Sequence, residues 1–267
     1  MSVGAAPPRH DTGRILAFIA IGLVTGLFAG LFGVGGGAVI VPLLVLAAGF
    51  DQRFASGTSL AAIVPTSVVG TIAYALRGQV DLLVAVILII MAVIGAQIGA
   101  WLLHRIPVAV LRWVFIAFLV TVIIGLFVVI PSRDAQFTVT AGAAVGLAVT
   151  GLVTGMLSGL LGIGGGSVIV PVLMLGFGTS DLVAKGTSLL VIVPTALSGT
   201  IANLRRHNVD LVAAGLVGVA ACLTTPLGSW IAVLVDPEVG DILFALFLIF
   251  SATRMAMKAL ASRRAKV

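Results

Sequence analysis

The sequence predicts an all-α integral membrane protein of two homologous repeats, read as inverted, with about 8–10 membrane segments that include short broken helices. Three observations predict it. Of 267 residues, 60% are hydrophobic and 9% charged, and mean hydropathy is +1.28; a soluble domain carries about a quarter charged residues, and so few charges could not keep a surface this size dissolved. Apolar runs of membrane-spanning length recur along the chain. The stretch Gly33-Val34-Gly35-Gly36-Gly37-Ala38-Val39-Ile40-Val41-Pro42 returns as Gly162-Ile163-Gly164-Gly165-Gly166-Ser167-Val168-Ile169-Val170-Pro171, an offset of 129 residues.

The same ungapped offset pairs Gly57-Thr58-Ser59-Leu60 with Gly186-Thr187-Ser188-Leu189, Pro65-Thr66 with Pro194-Thr195, Gly70-Thr71-Ile72-Ala73 with Gly199-Thr200-Ile201-Ala202, Asp81-Leu82 with Asp210-Leu211, and Trp101 with Trp230. The chain is a duplication.

Residues 1–13 hold Pro7, Pro8, Arg9, His10 and Asp11 and read as a short cytoplasmic tail. Residues 14–32 supply the first span. The run is too long for a signal-peptide apolar region and is expected to stay in the protein. The glycines stop it, and 36–50, which carries Pro42, reads as a short or half-depth helix closed by Asp51-Gln52-Arg53. Residues 55–76 make a crossing interrupted at Pro65 and dotted with hydroxyls. Segments 82–103 and 108–130 are uninterrupted scaffold helices, and Pro131-Ser132-Arg133-Asp134 links the halves. The second half replays this order over 137–161, 167–177, 185–204 (broken at Pro194), 211–235 and 242–260. The whole of 14–260 is one membrane domain, with repeats at about 14–131 and 137–260, and 261–267 is a basic cytoplasmic tail.

Five crossings per repeat give inverted halves and place 12 of the 15 Lys and Arg residues inside; four crossings give parallel halves and place 11 inside. Both arrangements leave the two termini in the cytoplasm of a multi-pass inner-membrane protein. The inverted arrangement is preferred because it lets the two glycine breaks meet near mid-membrane.

The net charge of +6 does not point to nucleic acid, since the cations stand at the ends of apolar segments and in the C-terminal tail. The single cysteine, Cys222, excludes an internal disulfide. All nine acids fall in tails, loops or helix ends, so a buried carboxylate cage or proton relay is not expected. His10, His104 and His207 are scattered, no catalytic constellation is visible, and no cofactor, metal or enzymatic activity is expected.

Glycine weakens a helix by about 1 kcal/mol against alanine and exposes its backbone. In a membrane such backbone survives only where protein buries it or where it lines a cavity. Helices restarting after Gly35, Gly36, Gly37 and after Gly164, Gly165, Gly166 present N–H groups and a positive dipole end to an anion. Thr58, Ser59, Thr66 and their partners Thr187, Ser188, Thr195 add hydroxyls, although capping or back-bonding to the preceding turn also explains them. Gly26 and Gly30, and Gly155 and Gly159, spaced by four, read as close helix packing. Lys185 stands where the first repeat has Ser56; it either attracts an anion or snorkels to the interface.

Taken together, the doubled glycine break before Val39-Ile40-Val41-Pro42 and Val168-Ile169-Val170-Pro171, the segments Ala55-Ser56-Gly57-Thr58-Ser59-Leu60 and Ala184-Lys185-Gly186-Thr187-Ser188-Leu189, and the turns with Val80-Asp81 and Val209-Asp210 resemble the TauE/SafE sulfite-exporter (TSUP) family. The resemblance covers residue 14 to about residue 260. It implies a secondary transporter for sulfite, thiosulfate, sulfoacetate, other organosulfonates or further small anions, with export as the leading direction. The expected partners are the small anion, the bilayer and a coupling proton or sodium ion, with the oligomeric state open. Uptake of another anion such as a carboxylate, or a membrane scaffold without transport, are the competing readings.

Overall fold

A computed structural model describes residues 12–128 and 140–264. The expected tail over 1–11, the linker at 131–134 and the last three residues, 265–267, lie outside the described residues. Ten helices are found among those described: α1 (Thr12–Phe32), α2 (Gly37–Leu46), α3 (Gln52–Ala75), α4 (Leu82–Arg105), α5 (Val108–Val128), α6 (Ala141–Leu161), α7 (Gly166–Phe177), α8 (Asp181–Leu204), α9 (Leu211–Leu234) and α10 (Pro237–Arg264). Eight are long and apolar enough to cross a membrane; α2 and α7 are shorter.

The bounds of α1 and α6, α3 and α8, and α4 and α9 coincide at the offset of the duplication, because the cap residues repeat with the sequence. Asp81 accepts from the N–H of Val84, and Asp210 from those of Val212 and Ala213. Asp51 accepts from Arg53 and Phe54, and Ser180 from Val183, so α3 and α8 start earlier than the apolar pattern suggests. Both helices also run unbroken through Pro65 and Pro194, which corrects the expected interruptions. A proline removes one ladder bond, and a long helix buried on both sides tolerates that loss.

Each α1–α2 and α6–α7 pair is a helical hairpin. Phe50, just past α2, packs its ring 6.1 Å from Phe18 near the start of α1, and Phe177 at the end of α7 reaches Gly146 near the start of α6. The short helix therefore returns to the side from which its hairpin entered. At 1.5 Å per residue, α1 is about 31 Å long and α2 about 15 Å, so the hairpin tip lies inside the bundle.

Backbone contacts fix the helix directions. Gly22, Gly26 and Gly30 of α1 meet Val217, Ala221 and Thr225 of α9 in ascending order, so those helices are parallel. Gly151, Gly155 and Gly159 of α6 meet Leu88, Ala92 and Ala96 of α4 in the same way. The small residues read from sequence as packing contacts are packing contacts. The central pair is antiparallel: Gly57 of α3 lies against Asn203 of α8, Gly199 against Leu60, Gly70 against Leu189, and Gly186 against Tyr74. Equivalent helices that run in opposite directions make the repeats inverted. The number of crossings agrees, since a returning hairpin followed by three passes leaves each repeat with an odd net count. The repeats are also interlocked, each packing its first helix on the fourth helix of the other.

Candidate functional site

The two hairpin tips meet on the pseudo-two-fold axis. Gly37 abuts Ile163, Gly166 abuts Gly33 and Val34, and Gly35 and Gly164 both face Ile63 of α3 and Ile192 of α8. A side chain at Gly37 or Gly166 would overlap the opposite tip's backbone, so these glycines permit tip-to-tip contact.

The tips are pinned across the repeats. Ser59 Oγ donates to Gly162 O at 2.7 Å and Ser188 Oγ donates to Gly33 O at 3.0 Å. Thr58 Oγ1 accepts from Asp210 N at 3.0 Å and Thr187 Oγ1 from Asp81 N at 2.9 Å, which docks the start of α9 on α3 and the start of α4 on α8. Thr66 and Thr195 donate back to Ala62 O and Val191 O, four residues earlier. All six hydroxyls are buried and engaged with backbone. Their geometry is that of capping and pinning, and Ser59 and Ser188 reach the site by fixing the carbonyls that border it.

The glycines Gly36 and Gly165 cap α2 and α7 with φ of 89° and 90° and no side-chain cap. Only glycine adopts this backbone at little cost. Their surroundings differ. At Gly36 an added Cβ would overlap Thr25 of α1, whereas at Gly165 the nearest atom, Thr154 O, would lie 3.4 Å away. Of the six break glycines expected to bind ligand, Gly165 is therefore the least crowded. Val168 N and Ile169 N both bond to Gly165 O, which leaves the N–H groups of Gly166 and Ser167 without an acceptor inside their helix.

Two residues not expected from sequence stand on the segments that flank Gly165. Ser158 Oγ, on the last turn of α6, and Ser167 Oγ, in the first turn of α7, are buried and have no hydrogen-bond partner among the described residues. An unpaired buried hydroxyl costs about 1–3 kcal/mol, so a pair of them beside free N–H groups suits an oxygen-rich anion. The equivalent positions in the first repeat are Ala29 and Ala38. Ser67 Oγ beside Gly35 and Thr25 Oγ1 beside Gly36 are likewise buried and unpartnered.

The acids require a correction. Asp181, at the start of α8, is fully buried, and Lys185 one turn on is 7% exposed with its Nζ 3.2 Å from Asp181 Oδ2. A buried carboxylate is therefore present, and Lys185 does not snorkel. Sequence position alone put Asp181 at a helix end, which is true, but that end is buried in the fold. No cluster of three or more potential metal ligands occurs among the described residues.

Inverted repeats carrying hairpins with unwound tips at a shared axis are an architecture of multi-pass membrane transporters. The family described as Sulfite exporter TauE/SafE matches residues 2–126 and 147–266, and the chain belongs to it. The chain is 31% identical over 216 residues to the probable membrane transporter protein YunE of Bacillus subtilis, covering 72% of this chain and 79% of the relative. It is 30% identical over 201 residues to the probable membrane transporter protein YdhB of the same organism, covering 74% and 82%. It is 27% identical over 118 residues to the Sulfite exporter TauE/SafE family protein 3 of Arabidopsis thaliana, covering 44% and 25%. No solved structure matches the chain.

Proposed function

We propose that this transporter moves small sulfur oxyanions, such as sulfite, thiosulfate or an organosulfonate like sulfoacetate, across the inner membrane, with export as its direction. The observation that carries this reading is the group of unpaired polar atoms around Gly165. The N–H groups of Gly166 and Ser167, which have no acceptor inside their helix, the positive end of α7 and the unpaired hydroxyls of Ser158 and Ser167 all belong to the segments around Gly165, the least crowded of the break glycines. Those donors favour a compact group with several acceptor oxygens. The family name and the Arabidopsis relative's name both mention sulfite export, which supports the substrate class.

Purified protein in liposomes should move sulfite, thiosulfate and sulfoacetate saturably and leave acetate and lactate behind. Movement of the carboxylates with none of the sulfur anions would replace this reading by carboxylate uptake.

The distribution of Lys and Arg supports cytoplasmic placement of both termini. With Cys222 replaced, a cysteine at the exposed position Arg77 should react with an impermeant thiol reagent from the periplasm, and one at Arg105 or Arg205 only from the cytoplasm. The reverse pattern would turn the whole bundle over.

A further inference from the structure

We propose that Lys185 and Asp181 form a site for the substrate anion on the periplasmic side of the bundle, at which the anion replaces Asp181 on Lys185 and Asp181 takes up a proton. The inference rests on the transport reading above and adds its coupling chemistry.

The first repeat shows that the fold does not need this ion pair. At the positions equivalent to Asp181 and Lys185 it has Gln52 and Ser56, both fully buried, and Ser56 Oγ simply donates to Leu161 O at 2.9 Å. Neutral side chains thus fill the same place in the same fold. Taking two charges out of water is costly, and a buried pair gains little stability over uncharged packing. A pair kept in one repeat alone points to a task other than stability.

The surroundings of the pair point to that task. Lys185 lines a small pocket, with room for about one water, together with Leu31, Phe32, Ala232, Val235, Asp236 and Gly240, between α1, α8 and α10. Gly33 of the hairpin tip sits against the Lys185 backbone, and Ser188, in the next turn, holds Gly33 O. A change at the ammonium is therefore one turn from the contact that pins the tip. Asp181 Oδ1 accepts no hydrogen bond from any described residue. The titratable and charged groups around Asp181 and Lys185 include Tyr74 at the end of α3, whose hydroxyl donates to Gly30 O and which feels both Asp181 and Arg77, Asp81 at the start of α4, whose N–H donates to Thr187 two residues from Lys185, and Asp236 across the pocket.

Charge balance follows directly. Asp181 and Lys185 together are neutral. When a monovalent anion takes the Lys185 ammonium, a bare carboxylate would be left buried beside it, a costly arrangement. A proton from water in the pocket bonds to a carboxylate oxygen of Asp181, and the site is again neutral. Departure of the anion reverses both steps, so one proton is taken up and released per anion.

The test is the pH dependence of methanesulfonate binding to the full-length protein, a monovalent ligand that stays ionised between about pH 5 and 8, so that any proton taken up belongs to the protein. Linkage of one proton to one anion makes the wild-type affinity rise about tenfold for each unit the pH falls. In D181N the slope should vanish. In K185S affinity should drop about ten- to a hundredfold, the size of one charged hydrogen bond. The double variant D181Q/K185S copies the first repeat's pair and should remain monodisperse with an unchanged melting temperature, which separates loss of binding from loss of fold. A wild-type slope in D181N, or wild-type affinity in K185S, would overturn the inference, as would loss of the slope in D236N with its retention in D181N. If those variants transport thiosulfate as the wild type does, the inference falls and the transport reading stands. If the wild type neither binds nor moves any sulfur oxyanion, both fall.

Discussion

The double variant S158A/S167A is expected to insert and fold normally while binding thiosulfate about a hundredfold more weakly and losing transport in proportion. The replacements are the residues that the first repeat carries as Ala29 and Ala38, so the packing is one this fold already uses. A hydrogen bond to a charged group contributes about 1.5–3 kcal/mol. Two such bonds, discounted for coupling between neighbours, amount to about 3 kcal/mol, or two decades in affinity. Binding by isothermal calorimetry and efflux from liposomes read the same loss. Transport at the native rate in a well-folded S158A/S167A protein would move the anion path away from α7. Gly165→Leu should also abolish transport, with about 1–2 kcal/mol of backbone strain at its positive φ. Gly36→Leu shares that strain and in addition collides with Thr25, so of the two Gly165→Leu reports more directly on the site.

Much of the architecture could be read from the chain. The offset of 129 located both repeats, and the caps at Asp81 and Asp210 made the helix bounds repeat with it. Spacing by four marked Gly26, Gly30, Gly155 and Gly159 as contacts between backbones, which they are. The site was less legible. Which carbonyl a serine meets depends on how two repeats interlock, so Ser59 and Ser188 look alike in sequence whether they face a ligand or pin the opposite tip. The burial of Asp181 depends equally on a neighbour, since hydropathy sees only a polar residue at a helix start. The differences between the repeats were a usable signal. Ser158 over Ala29, Ser167 over Ala38, Asp181 over Gln52 and Lys185 over Ser56 are all visible at the offset. Matching residues describe the shared scaffold, and the mismatched ones gather where the structure leaves polar groups unpaired or charges buried.

Gly155→Leu is expected to have the largest effect on stability, with no monodisperse protein recovered. Gly155 lies where α6 crosses α4 so closely that even a methyl group would overlap the carbonyl oxygen of Ala92. The obstacle is backbone on both sides, so rotamer changes cannot relieve it. Extra methylenes in a packed core cost about 1–3 kcal/mol where side chains can adjust, and prising two backbones apart exceeds that. The lost contact is also the one that interlocks the repeats, because α4 and α6 come from different halves. Gly26→Leu should fail in the same way on the other side of the axis, against Ala221 of α9. Gly215→Ala provides the contrast: it lies in the first turns of α9 with nothing within 4 Å of an added Cβ, and its backbone is helical. There the alanine should stabilise by about 0.5–1 kcal/mol. Size-exclusion profiles and melting temperatures in detergent compare the variants under one condition. Recovery of folded, monodisperse Gly155→Leu protein with a native melting temperature would mean that α4 and α6 do not pack backbone to backbone, and the interlocking of the two repeats would have to be redrawn.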